Sequence, residues 1–131
     1  IVSQQDCLDQ ACGLEITETV LNSDPDLRVV VGFNDDAALG AAKAFANAGI
    51  DPAEVFIAGQ DGSPQALAAV LEGGAFKMTA ALDFVDLANA IVQNSINAVT
   101  GEGETRSLAG AIAASYTDPP VVEELLSQVG G

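Results

Sequence analysis

The sequence comprises 131 residues, of which 49% are apolar and 18% charged, a composition typical of one folded domain rather than a disordered chain. Its 19 acidic and 4 basic residues give a formal charge of -15, which disfavours nucleic acid and anionic lipid as partners of this segment. With no His and only two Cys, the chain lacks the usual proton shuttle and cannot complete a zinc site. Hydrolase triads and zinc chemistry are therefore excluded, and we predict no catalytic residue, metal or cofactor.

The first half of the chain predicts a helix, a strand and a second helix. Apolar residues at helical spacing predict a helix over 9–22, which ends at Asp24-Pro25-Asp26 because the residue before Pro avoids helical backbone angles. Residues 27–33 (LRVVVGF) are β-branched and almost uniformly apolar, which is typical of a parallel strand buried on both faces. The second helix is predicted over 36–48 and ends at Gly49.

The strand and helix pattern then repeats, with Gly and Pro at the boundaries. The predicted strands are 54–59, 76–82 and 108–116. The predicted helices are 63–72, a long helix that starts at Asp83 or Asp86 and ends at about Thr100, and 119–129. This alternation predicts an α/β fold, a parallel sheet covered by helices on both faces in a three-layer αβα arrangement. The chain begins at Ile1 without an initiator Met or a signal-type apolar core, so we interpret it as a segment of a longer protein.

Two polar side chains follow neighbouring predicted strands, where open α/β sheets bind their ligands. Asn34 follows the first strand and Asp61 follows the second. An amide both donates and accepts hydrogen bonds, and a carboxylate accepts from two hydroxyls, so this pair suits a neutral polyol. Helix capping is the alternative interpretation of both residues, because Asn and Asp are preferred at helix N-caps.

Paired acids and paired cysteines carry further hypotheses. Asp35 and Asp36 indicate either a helix start or, less favoured, a Mg²⁺ site. Such a site would need a further Asp at the next strand end, which Asp61 provides, and a Lys at the end of a later strand, whereas Lys77 lies at the start of its strand. Cys7 and Cys12 are five residues apart and form either a disulfide, as in exported proteins, or two small buried side chains. Catalysis by either thiol is disfavoured because no His is available to activate it.

Two aromatic residues, Phe33 and Phe84, fall near the predicted ligand edge. An aromatic ring there could stack on the apolar face of a sugar, but core packing is the favoured interpretation of each.

Four stretches of the sequence, in order and at family-like spacing, resemble the periplasmic sugar-binding proteins of the ribose-binding type. They are Pro25-Asp26-Leu27 before a strand, FNDDAALGAAKAFANAG, VFIAGQDGSPQALAAVLEGG and KMTAALD. The resemblance runs over 13–101 and also covers Ser3-Gln4-Gln5. It implies a Rossmann-like lobe of a protein in which two lobes, joined by three crossings, hold a sugar between them.

The resemblance also implies a domain assignment and a function. Residues 1–131 would be an incomplete carboxyl-terminal lobe, in which 84–107 packs on an amino-terminal lobe that precedes this chain. The protein would be the solute-binding component of an ABC transporter, with a monosaccharide or similar polyol as ligand and a membrane permease as partner. It would lie in the periplasm or be anchored outside the cell membrane. An isolated segment of this kind is open to element swapping or dimerisation.

The site residues that the resemblance implies are Asn34 and Asp61, which fall on the family's sugar hydroxyl ligands. Gln10 and Leu8 replace the family's Arg or aromatic contacts. Leu82 replaces the amide of the crossing strand, with Asp83 beside it as a substitute. The predicted ligand-binding set is therefore Asn34, Asp61, Gln10 and Asp83, and its departures from the family pattern leave the identity of the sugar open.

One alternative function uses the same receptor fold, namely the sugar-sensing domain of a lactose-repressor-type transcriptional regulator. The upstream sequence would distinguish the two, because a signal peptide indicates transport and a helix-turn-helix indicates regulation. An α/β enzyme is disfavoured because no general base can be placed in the sequence.

Overall fold

The computed structural model of the chain describes residues 1–106 and 110–129. The helices are α1 (Gln10–Ser23), α2 (Asp35–Asn47), α3 (Pro64–Leu71), α4 (Phe84–Thr100) and α5 (Pro119–Val129), with a 3-10 turn at Pro52–Glu54. The strands are β1 (Val29–Val31), β2 (Phe56–Asp61), β3 (Phe76–Leu82) and β4 (Ala111–Ser115). Each predicted element is present within a few residues of its expected bounds, although Leu108, in the last predicted strand, lies outside the described residues.

Four helices begin at side-chain caps, as the sequence indicates. Asp9, Asn34, Ser63 and Asp83 each accept a hydrogen bond from a backbone N–H in the first turn of the helix that follows. These bonds satisfy donors that have no partner within the helix. The caps of α2 and α4 therefore involve two of the four residues predicted to bind ligand.

The sheet has the strand order β1-β2-β3-β4 and is mixed, which corrects the expectation of a fully parallel sheet. β1, β2 and β3 are parallel, whereas β4 runs antiparallel to β3. The reason lies in α4, which separates these two strands and buries none of its residues. A parallel crossover needs a helix that packs back on the sheet; α4 instead leads the chain away, and β4 returns in the opposite direction.

One apolar core joins one face of the sheet to α1, α2, α3 and α5. Its fully buried members include Phe45 of α2, Ile57 of β2, Leu67 of α3, Ala114 of β4 and Val122 of α5. Because all four helices pack on this one cluster, the described residues form a helical layer on one face of the sheet. The α/β class and Rossmann-like lobe are as expected, but the second helical layer is not formed by the described residues.

The opposite face of the sheet is open at β1. Val30 packs against the core, whereas Val29 and Val31, which alternate with it, are 60% and 76% exposed. The expectation that this strand is buried on both faces is therefore wrong for the described residues. Its uniformly apolar sequence nevertheless remains typical of a strand that is covered on both sides.

Helices α1 and α2 approach each other backbone to backbone at two glycines. A Cβ at Gly13 would overlap the Ala37 carbonyl, and a Cβ at Gly40 would overlap the Gln10 carbonyl. Only glycine permits this approach, which fixes the first turn of α1 on α2.

Helix α4 carries an apolar stripe that the rest of the described chain does not cover. Its exposed apolar residues recur at helical spacing, which is the pattern of an amphipathic helix. They are Phe84, Val85, Ile91, Val92, Ile96 and Val99. Within the described ranges, none of the helices combines the length and the apolar character that crossing a membrane requires.

Candidate ligand-binding edge of the sheet

The four residues predicted to bind ligand lie at one end of the sheet. Asn34 and Asp61 each stand three positions beyond the paired residues Val31 and Ala58 of two adjacent strands. Asp83 follows β3, two positions after Ala81, the residue that pairs with Asp61. Gln10 begins α1 and reaches the same end of the sheet through the hydrogen bonds described below. We call Gln10, Asn34, Asp61 and Asp83 the polar edge.

Asn34 is held by two hydrogen bonds. Its Oδ1 accepts from the backbone N–H of Ala37 at 2.9 Å, which is the N-cap of α2. Its Nδ2 donates to the carbonyl of Leu8 at 2.8 Å. The capping interpretation of Asn34 is thus confirmed, but the amide retains one N–H and one lone pair for a further partner.

Asp61 is the last residue of β2 and does not cap a helix, since Ser63 caps α3. Its φ of 117° is unusual for a residue with a side chain. Its carboxylate accepts no hydrogen bond from the residues that the structure describes. Strained backbone that carries an unpaired polar group is a common property of ligand sites, and Asp61 is therefore the strongest candidate of the polar edge.

The surroundings of Asp61 raise its pKa above the ordinary value of 3.8. Desolvation by burial is the largest cause, followed by the negative charges of Asp35 and Asp36. At neutral pH the carboxylate is a hydrogen-bond acceptor in an unfavourable electrostatic position. A ligand that donates hydroxyl hydrogens to it would relieve that position without a change in protonation.

Asp35 is a buried structural residue and was not predicted as such. Its side chain is almost fully buried, and it accepts hydrogen bonds from the Thr79 hydroxyl and the Ser63 N–H, both at 2.7 Å. The Thr79 oxygen in turn accepts from the Gly62 N–H at 3.1 Å. Asp35 therefore ties α2 to β3 and to the start of α3, and its oxygens face donors instead of a cation. This arrangement does not fit the Mg²⁺ hypothesis.

Gln10 links the first turns of three helices. Its Nε2 donates to Asp36 Oδ1 at 3.0 Å and to Gln65 Oε1 at 3.1 Å. Gln10 therefore lies beside the first turns of α2 and α3, at the same end of the sheet as Asp61, and both of its amide hydrogens already have acceptors.

Asp83 caps α4 through one of its two carboxylate oxygens. Oδ1 accepts from the N–H groups of Val85 and Asp86, at 3.0 and 2.9 Å. The second oxygen has no hydrogen-bond donor among the described residues, so Asp83 keeps one acceptor at the exposed end of β3. Its predicted role as a ligand residue stays a prediction.

Two further sequence hypotheses are decided by the structure. Cys7 and Cys12 form a disulfide with a Cα–Cα distance of 5.8 Å, so the alternative of two small buried side chains is wrong. Phe33 and Phe84 are 72% and 57% exposed, so the core packing expected of them is also wrong. Both residues are adjacent in sequence to members of the polar edge, Asn34 and Asp83.

The raised pKa of Asp61 gives a prediction on stability. Because the ionised form of Asp61 is disfavoured in the folded state, its ionisation lowers the free energy of unfolding. This loss of stability is fully present above the folded-state pKa and vanishes as the pH falls below 3.8. We expect Asp61→Asn to raise the melting temperature of the unliganded protein at neutral pH, and this gain to shrink on acidification. Melting curves over a pH series measure it, with Asp26→Asn on an exposed loop as control. A gain that is independent of pH would contradict the electrostatic origin.

Comparison with known proteins identifies the family. The model of the periplasmic binding protein domain matches residues 1–103. The ribose import binding protein of Salmonella typhimurium is 37% identical over 73 residues, which are 56% of this chain and 24% of that protein. The D-allose-binding periplasmic protein of Escherichia coli is 33% identical over 87 residues, 66% of this chain and 27% of that protein.

Solved structures support the same assignment. A solute-binding protein of an ABC transporter from Bacillus halodurans, with bound myo-inositol, matches with a TM-score of 0.76 and 29% identity. The match covers 92% of this chain and 40% of that chain. The chain spans about a quarter of the length of the curated relatives it matches. From the domain match and these relatives, the chain belongs to the periplasmic binding protein domain family.

Proposed function

We propose that this chain is part of the carboxyl-terminal lobe of a two-lobe solute-binding protein of an ABC transporter, and that the polar edge is one wall of its ligand site. The ligand is a monosaccharide or a similar neutral polyol. The observation that carries the proposal is the unpaired Asp61 carboxylate at the carboxyl end of β2, next to the spare hydrogen-bonding groups of Asn34.

The chemistry of the polar edge favours hydroxyl groups. The Asp61 carboxylate accepts from two hydroxyls, and each such bond is charge-assisted. The free N–H and lone pair of Asn34 match one hydroxyl that donates and another that accepts. An anionic ligand is disfavoured, because Asp35, Asp36 and Asp61 already repel one another.

The relatives bind ligands of this class. Ribose and allose are named for the relatives of similar sequence, and myo-inositol is bound in the structure of similar fold. All three are neutral and carry hydroxyls on adjacent carbons. They differ in ring and in stereochemistry, and the replaced contacts at Leu8, Gln10 and Leu82 leave the choice among them to experiment.

The two-lobe arrangement is supported by the surfaces that the described residues leave open. The apolar stripe of α4 needs a partner, and we propose that 84–107, of which Ser107 lies outside the described residues, packs on the amino-terminal lobe. The open face at Val29 and Val31 likewise has the composition of a surface covered in the complete protein. A sugar would then be enclosed when the two lobes close around a hinge, and a membrane permease would receive it.

The protein works by binding alone and lies outside the cytoplasmic membrane in this proposal. Closure excludes water, and the affinity comes from several hydrogen bonds to hydroxyls, with no covalent step. The Cys7–Cys12 disulfide supports the location, since disulfides persist in oxidising compartments such as the periplasm.

Removal of the Asp61 carboxylate tests the proposal. In the complete two-lobe protein we expect Asp61→Ala to weaken sugar binding by about tenfold or more, since a buried hydroxyl loses its charged acceptor. Titration calorimetry with D-ribose, D-allose and myo-inositol measures the effect. Asp26→Ala removes an equal charge from an exposed loop remote from the polar edge and should leave the Kd unchanged. Equal affinity of Asp61→Ala and the wild type would refute the site.

A further inference from the structure

The segment that precedes α1 touches the polar edge through its backbone. Residues 1–8 have no regular secondary structure, and most of their side chains are exposed. The carbonyl of Leu8 nevertheless accepts the hydrogen bond from Asn34 Nδ2 at 2.8 Å. The orientation of the Asn34 amide thus depends in part on where this short segment is held.

The covalent anchor of the segment is the disulfide between Cys7 and Cys12. Cys12 lies in the first turn of α1, and its N–H donates to the cap residue Asp9 at 2.9 Å. That turn is fixed on α2 by the backbone contact at Gly40. Leu8 lies between the disulfide residue Cys7 and the cap residue Asp9, so it is held from both sides.

We propose that the Cys7–Cys12 disulfide is a positioning element of the ligand site, acting through the Leu8 carbonyl on the side chain of Asn34. The part of this inference that concerns the ligand rests on the proposed function. The disulfide does not touch the sugar. It holds the Leu8 carbonyl within hydrogen-bonding distance of Asn34 Nδ2, so that one N–H of the amide donates to Leu8. The second N–H is thereby left for the ligand.

Without the disulfide, the segment is tied to the body of the lobe by weaker contacts. Asn34 would keep its cap to the Ala37 N–H, which fixes the oxygen of the amide. It would lose the fixed acceptor on the nitrogen side. The amide would then have more freedom in the unliganded state, and ligand binding would have to restrict that freedom.

The first test needs no ligand. In the complete protein, the side-chain amide of Asn34 is observed by ¹⁵N NMR, with its signal assigned by its loss in Asn34→Asp. We expect solvent exchange of the engaged Asn34 hydrogen to be at least about tenfold faster in the Cys7→Ala/Cys12→Ala variant than in the wild type. The same increase is expected in the wild type after reduction with a phosphine. Unchanged exchange in either sample would overturn the inference.

The second test is a double-mutant cycle on binding. Affinities for D-ribose, D-allose and myo-inositol are measured with and without the disulfide, in the Asn34 and the Asn34→Ala backgrounds. We expect removal of the disulfide to weaken binding roughly three- to tenfold when Asn34 is present. In the Asn34→Ala background we expect less than about a twofold change, because the residue that the disulfide positions is absent.

The outcomes separate this inference from the proposed function. Equal losses in both backgrounds would show that the disulfide acts on overall stability, and the inference would fail. If the wild-type protein binds none of the three sugars, the proposed ligand class fails, while the exchange of the Asn34 amide still decides whether the disulfide positions that residue.

Discussion

Replacement of Gly40 by Ala is expected to destabilise the protein by about 2 to 3 kcal/mol, as overpacking of a close contact does. The sign is diagnostic, because the same change in an unhindered helix interior stabilises by roughly 1 kcal/mol. At Gly40 the new Cβ would overlap the Gln10 carbonyl and approach the Leu14 nitrogen to 2.8 Å. Both obstacles are backbone atoms, so α1 must move as a whole. Urea unfolding measures the change in the free energy of unfolding.

Gly74→Ala is the matched control for this prediction. A Cβ at Gly74 would have no atom of the described residues within 4 Å, and Gly74 does not have a positive φ. We expect the stability of this variant to stay within about 0.5 kcal/mol of the wild type. If Gly40→Ala were as stable as this control, α1 would not lie in backbone contact with α2, and the position of Gln10 at the polar edge would lose its basis.

The second large effect is expected at Asp35. Asp35→Ala removes the acceptor of the Thr79 hydroxyl and of the Ser63 N–H, and Thr79 is fully buried. Leaving these donors without a partner should cost about 3 kcal/mol of stability. The adjacent Asp36 provides the control, because it is exposed and, among the described residues, accepts only from the exposed side chain of Gln10. Asp36→Ala is expected to cost less than about 1 kcal/mol.

Thermal and urea unfolding of the two aspartate variants decide this prediction. A similar small cost at both positions would mean that Asp35 is not the buried link between α2, β3 and α3. A cost confined to Asp35 would support this link, which leaves no room for a side chain at Gly59. The Asp35 carboxylate occupies the position that a Cβ at Gly59 would need.

Much of the fold could be predicted from local patterns. Apolar periodicity and the Pro and Gly boundaries predicted the helices, because these determinants act within a few residues. The direction of β4 could not be predicted in this way. It depends on whether α4 packs back on the sheet. An apolar stripe such as that from Phe84 to Val99 is expected both in a helix that packs on the sheet and in one that packs on another surface, so the sequence does not distinguish the two.

The burial of β1 was overestimated for a related reason. Its sequence of consecutive apolar residues indicates two covered faces, and the described residues cover one. In the proposed two-lobe protein, Val29 and Val31 would be covered as well, as the apolar sequence of β1 indicates.

The position of the candidate residues at the ends of the strands could be predicted, but their contacts could not. The rule that ligands bind at the carboxyl ends of parallel strands located Asn34 and Asp61. Asn34 accepts from the nearby Ala37 N–H and donates to the Leu8 carbonyl. The second bond joins residues that are 26 positions apart, so sequence spacing does not reveal it. The positive φ of Asp61 could likewise not be predicted from the sequence, although the following Gly62 weakly indicates an unusual turn.

Asp35 shows the limit of reading paired acids. In the sequence, Asp35 and Asp36 are equivalent candidates for a helix cap or a cation site. In the structure Asn34 is the cap, Asp35 is buried among donors and Asp36 is exposed. The two residues differ because Asp35 faces β3 and bonds to Thr79 there. Thr79 lies 44 positions away in the sequence, so local spacing could not reveal this difference.

The measurement that tests the central claim most directly is the thermal stability of the complete two-lobe protein with and without neutral sugars. A ligand present at a hundred times its Kd adds about 2.7 kcal/mol to the stability of the folded state. We predict a clear rise in melting temperature with at least one of D-ribose, D-allose and myo-inositol, and loss of that rise in Asp61→Ala. No rise with any neutral polyol would contradict the proposal that the polar edge binds a sugar.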